Sequence, residues 1–217
     1  MSSRAENVIA GMNQISLSAR PLPRLEFSDG PAGLLSDLND RSTRAHTERV
    51  RTIARCIAER MGLAGEDLLA IEVGALLHDV GKIGVTDAIL SKPGPLDRRE
   101  YEQIRGHPAA GGHLLGSIAC LESAIPCVLH HHERYDGQGY PEQLSGEDIP
   151  LSGRIISVAD AFDAMTSDRP YRRRLPVRSA LAELRRGAGR QFDPQVVRAF
   201  LWVWRRGRLA GLLERGN

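Results

Sequence analysis

The chain has 217 residues, of which 41% are hydrophobic and 26% charged, values typical of an ordinary globular protein with one main core. Its net charge of +2 argues against a globally basic nucleic-acid-binding protein, so any electrostatic argument must be local. No apolar run approaches membrane-spanning length and no signal-peptide core is recognisable, which predicts a cytoplasmic protein without a membrane segment. Three cysteines without metal-finger spacing predict reduced thiols.

The first forty residues differ in composition from the rest of the chain. A short amphipathic piece between Val8 and Ile15 precedes a segment rich in proline and glycine. This pattern predicts a short helix followed by a linker. We therefore expect residues 1–40 to form an N-terminal arm.

Helical periodicity begins after this arm and continues to about residue 204. Asp97 is an expected N-cap, and a glycine-rich loop is expected at about 134–148. No strand-like alternation competes with the helical pattern, which predicts an all-α fold with its main domain at 41–204 and a C-terminal tail at 205–217. The predicted helices are 43–61, 67–78, 96–104, 109–132 with a break near Gly116, 151–167, 177–186 and 194–204.

The most informative stretch is Leu76 to Gly84. An apolar helical run there is followed by the adjacent residues His78 and Asp79 and then by Lys82. Imidazole nitrogen and carboxylate oxygen form a ligand set for a divalent metal such as iron, manganese or zinc. A buried, charged aspartate is costly unless it is paired or coordinates a metal. The alternative is a helix end whose side chains cap backbone groups. The dipeptide alone leaves both interpretations open.

The chain has three consecutive histidines, His130, His131 and His132, whose side chains are expected to point in different directions around a helix. Successive residues turn by about 100° around a helix. Relative to the apolar Val128, His131 and His132 flank the core-facing direction, whereas His130 points nearly opposite. We therefore expect His131 and His132 to face inward and His130 to be solvated. A polar patch at a helix C-terminus is the alternative, and it explains one histidine better than three.

The helix predicted at 151–167 is apolar almost all round, so we expect it to be central. It carries Asp160 and Asp163 on one face. Carboxylates in a core helix need a partner, either a metal ion or an arginine such as Arg154 or Arg169, which lie nearby in sequence.

Three more histidines carry weaker signals. His107 directly precedes Pro108, so it is expected at a turn where a helix starts. His46 lies one turn into the first long helix. For either residue alone, a surface or capping role is the better interpretation, and His113 is interpreted as structural.

A run of arginines that includes Arg169 and Arg172 follows the central helix, which Pro170 ends. Such a run is usually a solvated face. Beside a metal-binding helix, however, it is a credible phosphate clamp, because guanidinium groups match phosphate oxygens in pairs.

These separated motifs together resemble the HD phosphohydrolase superfamily. Residues 131–141, which end in Gly139-Tyr140-Pro141, are similar to the signature of its HD-GYP branch, and the resemblance covers about residues 43–202. Lys92-Pro93-Gly94, residues 168–172 and residues 191–194 agree with it. The ordered set that carries the superfamily resemblance is His46, His78-Asp79, His107, His131-His132 and Asp160.

The resemblance implies an all-α HD helical bundle, extended by the loop and by C-terminal helices, that hydrolyses the bacterial second messenger cyclic di-GMP. The product would be the linear dinucleotide, with further cleavage to GMP left open. The nucleophile would be a hydroxide held between two divalent metals, which would be iron or alternatively manganese. Asp79 and Lys82 would be catalytic, and Lys82, Arg169, Arg172 and Tyr140 would bind substrate. The implied metal ligands are His46, His78, Asp79, His107, His131, His132 and Asp160, with Asp79 bridging.

The chain differs from the family pattern at one position, and the resemblance also suggests one protein partner. Metal-rich members carry a glutamate four residues before the first histidine, where this chain has Ser42. Because serine is a poor ligand for a divalent cation, we expect two metals and no third. The Gly139-Tyr140-Pro141 loop is a hypothetical contact for diguanylate cyclase domains. We expect no nucleic-acid or membrane partner and leave a homodimer open.

Two alternatives stay open at this point. The chain could hydrolyse another nucleotide, such as a hybrid cyclic dinucleotide, because the sequence does not reveal the residues that line the base pockets. It could also be a catalytically idle interaction module. Degenerate modules usually lose ligands, whereas seven candidate ligands are intact here.

Overall fold

A computed structural model describes residues 41–168 and 173–214 of the chain. The predicted N-terminal arm, Arg169 and Arg172 lie outside the described residues, as does the side chain of Ser42. Within the described ranges the regular elements are helices, and the one bridge is an isolated pair between Ala188 and Phe192. The predicted all-α fold is confirmed.

The helices follow the sequence periodicity closely, and three short 3-10 turns at Val80–Gly84, Ala119–Ala124 and Gly146–Asp148 connect some of them. In the described part of the chain, no helix is both long enough and apolar enough to cross a membrane. The helices are α1 (Arg41–Arg60), α2 (Gly65–Leu77), α3 (Asp87–Leu90), α4 (Arg98–Arg105), α5 (His107–Gly116), α6 (Ile125–His130), α7 (Leu151–Thr166), α8 (Val177–Gly187), α9 (Pro194–Arg205) and α10 (Ala210–Glu214).

The central position predicted for the apolar helix is confirmed, since α7 packs against α1, α6, α8 and α9. Its Phe162 is fully buried and lies 4.7 Å from the ring of Phe200 in α9. Helix α1 presents Val50, Ile53, Ala54 and Ile57 to the same core, at the i, i+3, i+4 and i+7 spacing of an amphipathic helix. The core therefore fixes α1 and α7 side by side, and both carry candidate ligands.

The segment at 109–132, predicted as one interrupted helical stretch, divides more completely than the sequence indicated. A 3-10 turn at Ala119–Ala124 separates α5 from α6, and Pro126 lies in the first turn of α6. Proline has no backbone N–H to donate, so an α-helix cannot run through this point intact. As a result α5 and α6 pack against each other and bring His107 near His131.

Two smaller expectations have clear outcomes. Asp97 caps α4 and forms a reciprocal capping box with Glu100, as expected from its position. The three cysteines are free thiols, with Cys120 exposed. In the predicted tail, Leu209 is 1% exposed and belongs to the core.

Candidate metal centre

Asp79 lies where α2 gives way to the 3-10 turn at Val80–Gly84, and the start of α5 packs onto this turn. The contact requires Gly81, because a Cβ atom there would lie 2.0 Å from the carbonyl oxygen of His107. This close approach brings His107 Nε2 to 3.2 Å from Asp79 Oδ1. The glycine of the motif therefore positions a histidine from the neighbouring helix.

Three of the clustered histidines are oriented in the same way. Each ring has its Nδ1 atom 2.7–2.8 Å from the backbone carbonyl oxygen three residues earlier. Because a carbonyl can only accept, Nδ1 must carry the proton, and Nε2 of the neutral ring has a free lone pair. A backbone partner of this kind is typical of metal-ligating histidines. The pairs are His78 with Ala75, His107 with Ile104, and His131 with Val128.

The Nε2 atoms of these histidines converge on the carboxylate of Asp79. Those of His107 and His131 lie 3.3 Å from each other and 3.2 and 3.9 Å from Asp79 Oδ1. His78 Nε2 lies 3.5 Å from Oδ2 and has no hydrogen-bond partner within the described residues. Lone pairs that face one another without a proton between them repel. A divalent cation removes that conflict, so these donor groups fit a metal ion.

Among the described residues, two groups of potential ligands share Asp79. In each group the ligand atoms all lie within 4.8 Å of one another. This cluster of histidines and aspartate is consistent with a divalent metal site. The groups are Asp79, His107, His131 and His132, and His46, His78 and Asp79.

His46 reaches the cluster from α1 and is held differently from the other rings. Its Nδ1 lies 2.7 Å from Asp163 Oδ2, and its Nε2 lies 3.5 Å from Asp160 Oδ1. Asp160 lies outside the two groups but faces His46 from α7. Asp163, in contrast, is 2% exposed and contacts the cluster only through the His46 ring.

The arginine interpretation of Asp163 is borne out, but with a partner that the sequence analysis missed. Arg49 Nε donates to Asp163 Oδ1 over 2.5 Å. Arg154, the nearby arginine in sequence, instead pairs with Asp193 at 2.6 Å. A helix directs its side chains toward whichever helix packs beside it, so nearness in sequence was a poor guide to the partner.

The charge states of the cluster suit metal binding. Burial alone would raise the pKa of Asp79, but His78, Lys82 and His107 hold that pKa well below its usual range. Burial, aided by neighbouring histidines, lowers the pKa of His131, and burial lowers that of His132 to about 4. At neutral pH Asp79 is thus a carboxylate and His131 and His132 are uncharged imidazoles, the forms of these groups that bind metals.

Lys82 and Tyr140 border the cluster. Lys82 Nζ lies 2.5 Å from Asp79 Oδ2, with 37% of its side chain exposed. The Tyr140 ring stacks on His132 with a centroid distance of 4.8 Å, and the guanidinium of Arg105 lies 4.6 Å from the Tyr140 centroid. A cavity of about 270 Å³ extends from His131 and His132 along Tyr140.

Gly139 determines how the loop reaches this position. A Cβ atom at Gly139 would lie 2.3 Å from the backbone nitrogen of Arg134 and 2.5 Å from the Cα of Glu133. The loop therefore folds back on the chain that immediately follows His132, and this fold directs Tyr140 over the imidazole.

A family model described as an HD domain matches residues 33–196. The chain belongs to the HD domain family. It is 43% identical to the cyclic di-GMP phosphodiesterase of Thermotoga maritima, covering 77% of this chain and 46% of that protein. It is 40% identical to the cyclic di-GMP phosphodiesterase response regulator RpfG of Xanthomonas campestris, covering 92% of this chain and 52% of that protein. The resemblance to HD-GYP phosphodiesterases is thereby confirmed.

Other comparisons agree on the fold and widen the range of related enzymes. A 3'3'-cGAMP-specific phosphodiesterase of Vibrio cholerae is 37% identical, covering 75% of this chain and 35% of that enzyme. The crystal structure of a V. cholerae cyclic GMP-AMP phosphodiesterase superposes with a TM-score of 0.61 at 22% identity, covering 77% of this chain and 45% of that one. The chain thus spans about half or less of the length of these relatives.

The expected solvent exposure of His130 is wrong. His130 is only 8% exposed, because α7 packs over the side of α6 that was expected to face solvent. Gly153 of α7 allows this contact, since a Cβ atom there would lie 2.9 Å from His130 Cβ. Helix α6 is therefore covered on more than one side, which a single apolar direction could not indicate. His131 and His132 lie in the cluster, and His113 is exposed.

Proposed function

We propose that this HD domain is a metal-dependent phosphodiesterase that hydrolyses cyclic di-GMP to the linear dinucleotide, with further cleavage to GMP left open. The convergence of three histidine Nε2 atoms on the buried carboxylate of Asp79 carries the proposal, because such a buried polar set is unfavourable without a cation. The substrate assignment draws on the names of the curated relatives at 43% and 40% identity.

The proposed ligand assignment divides the cluster around Asp79. One metal would be held by His107, His131 and His132, and the other by His46 and His78. Asp79 would contribute to both positions. Asp160 would complete the second set from α7. We propose iron, with manganese as the alternative, since imidazole and carboxylate ligands suit both. Two metals rather than three are proposed, because Ser42 offers no carboxylate.

Bound divalent metals would supply Lewis acidity and activate water toward a phosphodiester at neutral pH. The residues of the chain would then orient the substrate and neutralise its charge. Lys82 places an ammonium group beside Asp79, where it can approach phosphate oxygens. Arg169 and Arg172 are proposed to extend this positive region, and Tyr140 to contact a base. The reaction would need no serine or cysteine nucleophile, because the attacking group would be the activated water.

The proposal also includes a protein partner and a cellular location. The Gly139-Tyr140-Pro141 loop is proposed to contact diguanylate cyclase domains, with Gln138 as its exposed neighbour and Gly139 buried. We also propose a cytoplasmic location, with a homodimer as a hypothesis.

The first test is turnover with metal analysis on protein purified without oxygen. We expect about two bound metal ions per chain and conversion of cyclic di-GMP to the linear dinucleotide, followed by chromatography. Faster hydrolysis of 3'3'-cGAMP would favour the alternative substrate, which the similarity to the V. cholerae enzyme makes a specific candidate. A protein that holds both metals yet hydrolyses neither dinucleotide would be an interaction module.

Lys82→Met is expected to weaken hydrolysis while the metal content stays unchanged. A charge-assisted hydrogen bond is worth about 1.5–3 kcal/mol, which corresponds to roughly ten- to a hundredfold in kcat/KM. Lys92→Met is the matched control, because Lys92 also lies 2.5 Å from a carboxylate, that of Glu100, and is similarly exposed. Equal activity of the two variants would remove Lys82 from the proposed substrate contacts.

A further inference from the structure

His46 differs from the other oriented histidines in the group that holds its Nδ1 atom. His78, His107 and His131 each donate to a neutral backbone carbonyl on their own segment. His46 instead donates to a carboxylate, that of Asp163, which lies 117 residues away on α7. Orientation of His46 therefore depends on the packing of two helices rather than on one local turn.

The carboxylate of Asp163 is itself fixed. Arg49 Nε lies 2.5 Å from its Oδ1 and Arg49 Nη2 lies 3.1 Å from its Oδ2, so the guanidinium holds both oxygens. Arg49 also donates to Ser167 Oγ at 3.1 Å, just beyond the end of α7. Such a paired arrangement leaves the carboxylate little freedom to rotate.

The proton position of His46 follows from these contacts. An ionised carboxylate only accepts hydrogen bonds, so the Nδ1 atom of His46 carries the proton. In the neutral ring, which is the form that binds a metal, Nε2 then carries the lone pair; it faces Asp160 Oδ1 at 3.5 Å, with the His78 ring 5.3 Å away. Arg49 donates to both oxygens of Asp163, an arrangement that suits the ionised form of this carboxylate.

We propose that Asp163 is a positioning residue that holds His46 in the ligating tautomer and orientation, with Arg49 as its anchor. This inference rests on the proposed two-metal function. It makes the two metal positions unequal, because one depends on a salt bridge between α1 and α7, whereas the other depends on backbone carbonyls. Loosening of that salt bridge would empty the His46 position first.

Asp163→Asn tests the inference with very little change in shape. Arg49 can only donate, so the amide oxygen should turn toward Arg49 and the amide NH2 toward His46. The proton of His46 would then move to Nε2, and ligation at that atom would be lost. Outer-shell substitutions of this kind typically cost about 10–100-fold in metal affinity.

The measurement is titration of metal-free protein with Mn²⁺, by calorimetry and by electron paramagnetic resonance. Wild type is expected to bind two ions and to give the spectrum of a coupled pair. Asp163→Asn is expected to bind one ion with wild-type affinity and the second 10–100-fold more weakly, with an isolated-ion spectrum at one equivalent. Two ions bound with wild-type affinities in Asp163→Asn would overturn the inference.

Asp193→Asn is the matched control, because Asp193 is also 2% exposed and pairs with an arginine at 2.6 Å, but contacts no histidine of the cluster. Its Mn²⁺ titration should equal that of wild type. Arg49→Lys keeps the charge but loses the paired contact, and it should weaken the second ion even if Asp163→Asn fails to fold; unchanged binding there counts against the inference. A wild type that binds no ion or one would instead contradict the proposed function.

Discussion

Asp79→Ala is expected to empty both metal positions and to abolish hydrolysis of cyclic di-GMP. Asp79 is the residue that the two ligand groups share, and its Oδ1 and Oδ2 face different histidines. Without the carboxylate of Asp79, one position would keep only imidazoles, and the other would keep Asp160 as its one carboxylate. We expect turnover to fall by at least about a hundred- to a thousandfold, the scale seen when one electrostatic stabiliser of a transition state is removed.

Metal analysis by mass spectrometry and chromatography of the reaction products measure the effect of Asp79→Ala. Asp87→Ala is a suitable control, because Asp87 is an exposed acid on the short helix α3. Its metal content and turnover should equal those of wild type. Two metals retained in Asp79→Ala would show that the shared carboxylate is not the bridge and would refute the ligand assignment.

The helices were predictable because their apolar positions are dense and regular. Helix α7 is apolar on nearly every side, and a helix of that kind has to be covered by others. The same reasoning failed at His130, where helix α6 has a small apolar face but neighbours on several sides. One apolar direction indicates one contact, so it cannot exclude a second contact made through a glycine such as Gly153.

The candidate ligands were predictable as a set but only partly as a geometry. Their order along the chain resembled a family pattern, and six of the seven now lie in the two groups around Asp79. The support for His46 was not predictable. Arg49 and Asp163 are 114 residues apart, and either one alone has the appearance of an ordinary charged residue on a helix.

Arg105 illustrates the same limit for the cavity beside Tyr140. It lies in the last turn of α4, a helix whose charged residues are typical of a solvated face. The structure instead places its guanidinium 4.6 Å from the Tyr140 centroid. Only the packing of the loop at 134–141 against this region reveals the contact, and no local sequence signal indicates it.

Gly81→Ala is expected to destabilise the fold and to weaken the metal position that contains His107. The added Cβ would lie 2.0 Å from the carbonyl oxygen of His107 and 2.6 Å from the backbone nitrogen of Gly111. Both neighbours are backbone atoms, so no change of rotamer relieves the clash, and the 3-10 turn must move away from α5. Overpacking of this kind costs about 1–3 kcal/mol, occasionally more.

Gly84→Ala is the matched control, since it adds the same methyl group to the same turn, where no described atom lies within 4 Å. We expect Gly84→Ala to stay within about 0.5 kcal/mol of wild type, whereas Gly81→Ala unfolds at lower denaturant and binds Mn²⁺ more weakly. The two variants should weaken metal binding for different reasons. Asp79→Ala removes a ligand without adding a clash, whereas Gly81→Ala displaces His107 from its position 3.2 Å from Asp79. Equal stability and equal Mn²⁺ affinity of the two glycine variants would mean that the contact between the turn and α5 does not position His107.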